Sequence, residues 1–180
     1  KIFQNKGAKA KWFDAGRYLK NPDEIEKLIA PFNGADDALF GTRTSLNIED
    51  FFELDKIKNL SPDTYSQHSI IIGPGASLAG WNGLLLYIDL PKNEIQFRSR
   101  AGSITNLGAP SADDPKKMYK RFYFTDWIVL NRLKKELLPS IDVIVDGQDP
   151  DNPSFLTGDT LRKGLNKMAS NYFRVRPWFE

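Results

Sequence analysis

The sequence predicts an α/β fold, with a mainly parallel central sheet flanked by helices. Two apolar runs, 69–73 (Ser-Ile-Ile-Ile-Gly) and 84–90 (Leu-Leu-Leu-Tyr-Ile-Asp-Leu), are short and unbroken. That is the pattern of strands buried on both faces. A third run, 141–145, ends in the turn signal Asp146-Gly147. Amphipathic helical patterns precede, separate and follow these runs, and strands alternating with helices are the mark of this class.

In chain order, residues 1–20 read as a basic arm, 21–170 as the α/β domain, and 171–180 as a strand-like aromatic segment leading to a following domain. Asn21-Pro22-Asp23-Glu24 opens a helix: a side-chain cap, proline at the first helical position, then acids at the positive helix end. Ile25, Leu28, Ile29 and Phe32 follow on one face, and Pro31 with Asn33-Gly34 closes it. A second helix, capped by Asn47, turns Ile48, Phe51, Phe52 and Ile57 inward. The link between the first two strands holds about ten residues, below the dozen or so of a parallel crossover, so their relative direction stays open. Pro91 and Glu94 start a helix running toward Gly102. The clearest helix spans 115–138, with Met118, Phe122, Val129, Leu130, Leu133 and Leu137 on one stripe and its lysines and arginines mostly off it. A last helix, 159–168, is expected to bury Leu161, Leu165 and Met168.

Composition narrows the partners. With 180 residues, 41% hydrophobic and 27% charged, the chain is globular rather than disordered. A net charge of +2 argues against bulk attraction to nucleic acid or anionic membrane. The longest apolar run is too short to cross a bilayer, and no basic-then-apolar leader opens the chain; the expected location is cytoplasmic. Lys1 in the first place and an aromatic end, Tyr172 to Glu180, read as the front portion of a longer chain.

Candidate chemistry is sparse. Cysteine is absent and His68 is the one histidine, which leaves no thiolate or imidazole cluster for zinc. His68 reads as a solvated or capping residue. Gly73-Pro74-Gly75-Ala76-Ser77-Leu78-Ala79-Gly80 has part of the spacing of a phosphate-binding loop, but Trp81 and Asn82 stand where lysine and a hydroxyl are needed. It reads as a connector. Arg98 and Arg100 are the phosphate-binding candidates, since guanidinium forks suit that anion. At i and i+2 they converge only if the helix frays near Gly102; otherwise they serve the helix dipole. Lys116, Lys117, Lys120 and Arg121 read as a solvated face. Asp142 and Asp146 share one side of a strand, roughly 13 Å apart. Asp126 reads either as a buried acid with a partner or as a ligand facing a strand. No catalytic residue is expected within these residues.

Two resemblances add to this. Ile70-Ile71-Ile72-Gly73, the strand ending at Asp89 and Pro91, and the helix with Arg98 and Arg100 resemble the later part of a uridine kinase or phosphoribulokinase-type domain. That resemblance implies a P-loop-kinase-like sheet without its phosphate loop, and arginines of a lid segment. Tyr119 to Trp127, Thr157-Gly158-Asp159, Asn106-Leu107-Gly108 and Phe173 to Glu180 resemble bacterial proteins similar to class I mannose-6-phosphate isomerase. This second resemblance implies an accessory domain in front of a metal-binding cupin barrel, acting in sugar-phosphate metabolism. Its expected partners are that barrel and a phosphorylated small molecule, with any zinc held by the barrel and no cofactor here. The alternatives are a structural or oligomerisation domain without catalysis, and a small-molecule kinase.

Overall fold

The first helix, α1 (Pro22–Ile29), forms where its capping residues place it. The computed structural model describes residues 7–35, 37 and 39–172. In it the Asn21 side chain accepts from the Glu24 N–H at 2.9 Å, and the Glu24 carboxylate accepts from the Asn21 N–H at 3.2 Å. This reciprocal capping satisfies two donors that the first helical turn leaves over. Ile25 and Ile29, four residues apart, are both fully buried.

The chain divides into two units, Lys1–Asn82 with Gln96–Leu133, and Gly83–Ile95 with Lys134–Glu180. In the first, β1 (Ala10–Asp14) and β2 (His68–Ile72) pair in parallel, Ala10 opposite His68 and Asp14 opposite Ile72. Between them lie α1, a 3₁₀ turn at Ile48–Phe51 and α2 (Leu54–Lys58). Ile48, Phe51, Phe52 and Ile57 are all buried, as their pattern predicts, but the helix breaks at Phe52. Further on come α3 (Lys92–Arg100), of which Gln96 onward belongs here, and α4 (Pro115–Arg121). A π-helical turn, Phe122–Asp126, then joins α4 to α5 (Trp127–Leu137), so the single helix expected over 115–138 carries one wide turn. Met118, Phe122, Val129 and Leu133 on its stripe are buried.

The second unit holds β3 (Leu86–Asp89), β4 (Val143–Asp146), β5 (Ser154–Thr157) and α6 (Gly158–Ala169). β3 and β4 are parallel, β4 and β5 antiparallel. Asp142 fastens the start of this sheet. Its carboxylate accepts from the Leu85 N–H at 2.7 Å and its carbonyl from the Gly158 N–H at 2.7 Å.

Mixed α/β character is therefore what the described residues have, with two small sheets in place of one central sheet. Three expectations change. Ala10–Asp14, placed in the arm at 1–20, is a strand, because its N-terminal neighbour Lys9 and its own backbone find ladder partners in 67–72. Ser154–Thr157 is a strand that the sequence reading left unassigned. Leu165 and Met168 of α6 are exposed, Met168 to 63%, since no described element packs on that face. The strand-like reading of 171–180 lies, from Phe173 on, outside the described residues.

Two glycines of α6 give a direct check. A Cβ on Gly158 would overlap the Ile141 carbonyl oxygen, whereas one on Gly164 meets nothing. Gly158→Ala is expected to lower stability by about 2 kcal/mol through overpacking. Gly164→Ala is expected to raise it by about 0.5–1 kcal/mol through helix propensity. Urea unfolding of the two variants measures both signs.

Candidate functional site

Arg98 and Arg100 stand in the last turn of α3, and the helix does not fray there. The Ser103 N–H donates to the Arg98 carbonyl and the Gly102 N–H to the Ser99 carbonyl, each at 3.0 Å, with Gly102 at φ 65°. These two bonds and the left-handed glycine make a Schellman cap. The helix therefore stays closed through Arg100, and residues two apart leave it about 200° apart. Ser99 between them is buried, Arg98 half-buried and Arg100 exposed. The structure does not bring the two guanidiniums to one side.

The glycine loop after β2 is a packed connector. A Cβ on Gly75 would enter the Phe52 ring, so the missing side chain serves the core. Trp81 donates through Nε1 to the Leu60 carbonyl at 2.7 Å and meets Phe13 edge-on, 5.1 Å between ring centroids. His68 opens β2 on the exposed side.

Asp126 proves to be a buried acid with partners. Lying in the π turn and 1% exposed, it accepts through Oδ2 from Asn106 Nδ2 at 2.7 Å and from the Leu107 N–H at 3.2 Å. Its Oδ1 lies 3.5 Å from Arg121 Nε. Arg121, placed by sequence on a solvated face, is buried: it donates to the Leu107 carbonyl and pairs with Glu26 of α1 at 2.6 Å. Burial pushes the Asp126 carboxyl above its usual 3.8, against the pull of the Arg121 charge and of the Asn106 and Leu107 hydrogen bonds. π turns recur at functional sites; in this one Tyr123 is exposed, while the buried Asp126 ties the turn to Asn106 and Leu107 and lies beside Arg121.

The second unit offers a surface instead. On one face of its sheet, Ile88, Val145 and Phe155 form a row across all three strands, and Leu86, Val143 and Thr157 a second row. Ile88 is 68% and Phe155 70% exposed. On the opposite face, Lys134 from α5 stands 5.7 Å from the centroid of the Tyr87 ring and 2.5 Å from the Asp89 carboxylate. Tyr87 is pushed up to about 12, first by burial and then by the Asp89 charge. Asp146 is the register partner of Asp89, and its carboxylate is taken up by Gln148. At β3 one face is attended by Lys134, while Leu86 and Ile88 on the other are exposed; β4 is half-buried on both faces and β5 exposed on both. The expectation of strands buried on both faces holds for neither β3 nor β4. The sequence shows the apolar runs, but nothing in it says which helix reaches which face. Among the described residues no group of three or more acidic or histidine side chains is arranged to hold a metal.

Two measurements follow. Replacing Asp126 by Ala removes one partner of a buried ion pair and is expected to cost about 3 kcal/mol. A carboxyl raised in the folded state binds its proton more tightly there, so stability falls as pH rises from 3.8 to the folded value; Asp126→Asn should flatten the profile in that window. In an alkaline titration followed by tyrosinate absorbance, Asp89→Asn should bring the latest-titrating tyrosine down from about 12, because it removes a repelling charge.

No curated protein and no solved structure matches this chain. A family model does, along residues 1–170, which takes in every described strand and helix. The chain belongs to the family described as domain of unknown function DUF8485.

Proposed function

We propose that this chain is an accessory α/β domain that works by docking on a neighbouring protein surface and does no chemistry of its own. The observation that carries the reading is the bare sheet face of the second unit. A parallel strand pair is ordinarily covered on both sides, and here Ile88 and Phe155 are exposed, with half-buried Val145 between them. Contiguous apolar surface of this kind marks interaction sites. At the carboxyl end of β4 and beyond it, exposed Asp146, Asp149 and Asp151 add an acidic rim, which suits an occupant with an apolar centre and basic edge.

The occupant in this reading is a further domain of the same polypeptide, the cupin barrel that the isomerase resemblance implies. The domain would then be a kinase-like sheet kept for its surface, in a cytoplasmic sugar-phosphate enzyme whose metal and catalysis sit in the barrel. No helix among the described residues is long and apolar enough to cross a membrane.

Hydroxyl-radical footprinting of the complete gene product tests this. Ile88 and Phe155 should be labelled as weakly as buried Ile25, while Tyr65, 93% exposed, supplies the fully labelled standard. Protection that does not change on dilution supports a neighbour in the same chain. Protection lost on dilution means self-association, and labelling at the level of Tyr65 means that nothing docks; either result overturns the reading.

A further inference from the structure

In the second unit β5 is an outer strand: among the described residues no strand pairs along its far side. Three backbone bonds show which of its groups point that way. The Val143 and Gly147 N–H groups donate to Leu85 and Asp89 on the β3 side, at 3.2 and 3.0 Å, so the odd-numbered residues of β4 turn toward β3. The Gly158 N–H donates to the Asp142 carbonyl at 2.7 Å, which makes Asp142 and Gly158 a bonded position of the antiparallel ladder. Bonded positions alternate along such a ladder, and the next ones are Ile144–Leu156 and Asp146–Ser154. Leu156 and Ser154 therefore direct their N–H and C=O groups to β4, while Phe155 and Thr157 turn theirs outward.

That outer edge is open. All residues of β5 are exposed, Phe155 on one face and Leu156 on the other. Arg162 of α6 donates to the Leu138 and Ile141 carbonyls at 3.2 and 2.9 Å, which draws the start of that helix toward the β4 side and away from the edge. Sheet edges are ordinarily guarded by a charged side chain, an internal proline or a bulge. Ser154-Phe155-Leu156-Thr157 carries none of these, and its register with β4 is unbroken. The ends of the strand complement each other. Pro153 has a carbonyl and no N–H. Thr157, the cap of α6, has an N–H, while its carbonyl accepts the first bond of the helix.

We propose that β5 pairs antiparallel with β5 of a second copy of this chain, about a two-fold axis at Phe155, joining the two sheets into one. In this register the Phe155 N–H and C=O groups bond reciprocally with those of the second copy, and each Thr157 N–H meets the opposite Pro153 carbonyl, about four bonds in all. The donor missing at Pro153 lies opposite the acceptor missing at Thr157, so no backbone group is stranded. A slip of two residues either way sets Phe155 against one of these gaps. The strand is thus complementary to its own inverse, a match that a strand of another protein has no cause to carry. The two Phe155 rings become a cross-strand pair, and the row Ile88–Val145–Phe155 runs on into the second copy. The edge of the sheet is a different surface from the face that the docking reading concerns. Ile88, on the strand farthest from β5, reports on that face alone.

Sedimentation equilibrium of the complete gene product, from micromolar to sub-millimolar concentration, should show a monomer–dimer equilibrium. Phe155→Pro removes an N–H that points away from β4, so it should leave the melting temperature near that of the parent and weaken the dimer about tenfold or more. Leu156→Pro breaks the ladder to β4 and should melt early. Should Phe155→Pro also melt early, Phe155→Lys takes its place, since it keeps the backbone and puts a charge on the edge. The sequence has no cysteine, so single thiols read the register. Phe155→Cys sets two thiols directly opposite, with Cα atoms about 5.5 Å apart and within disulfide reach, and should oxidise to a covalent dimer. Ser154→Cys lies opposite Leu156 of the second copy and should cross-link far more slowly. The expected joint result is a dimer that dissociates on dilution while the labelling of Ile88 stays constant. A chain that remains monomeric throughout, a dimer indifferent to the substitution at Phe155, or equal cross-linking of the two thiol variants would overturn the pairing.

Discussion

A carboxylate that has left water must be held by donors, and in the first unit Asp126 is that carboxylate. It sits in a wide helical turn where the backbone ladder is irregular, and it reaches Asn106 and Leu107 in the preceding loop. Arg121, one turn earlier, lies beside it and extends to Glu26 of α1. Loop, helix pair and α1 are thereby coupled through one buried charge and its partners. Ion pairs of this kind specify an arrangement more than they strengthen it, because desolvation offsets much of the attraction. The upward shift of the Asp126 carboxyl expresses the same balance, with burial outweighing the guanidinium.

The second unit is organised by a different constraint. Its sheet has one face attended by Lys134, which offers its charge to Asp89 and its stem to the Tyr87 ring. On the other face Leu86, Ile88 and Phe155 are exposed, with Val143 and Val145 half-buried between them. In α6 the same condition recurs, with Leu165 and Met168 turned outward. Apolar surface on both a sheet and its adjoining helix is the physical basis for reading this unit as one half of an interface.

Much of the local structure was legible in the residues. The α1 cap, the buried set Ile48, Phe51, Phe52 and Ile57, the helix through Met118 and Leu133, and the glycine stop after Arg100 all depend on neighbours within a turn or two, and each formed close to its expected place. The site was less legible. Arg98 and Arg100 were picked for their chemistry, yet a closed helix separates them. Arg121 was placed among solvated charges because its neighbours Lys117 and Lys120 are polar, whereas its own position faces Asp126.

What the sequence determined by itself is the mixed α/β class, several of the helix caps, and the absence of cysteine. These follow from hydrophobic period, capping residues and composition, which act over a few residues at a time. Tertiary structure alone decided how the strands were shared between two sheets, which faces were covered, and which charges met. Pairing of distant strands and burial of one face rather than another depend on contacts between segments far apart in the chain, and no local spacing encodes them.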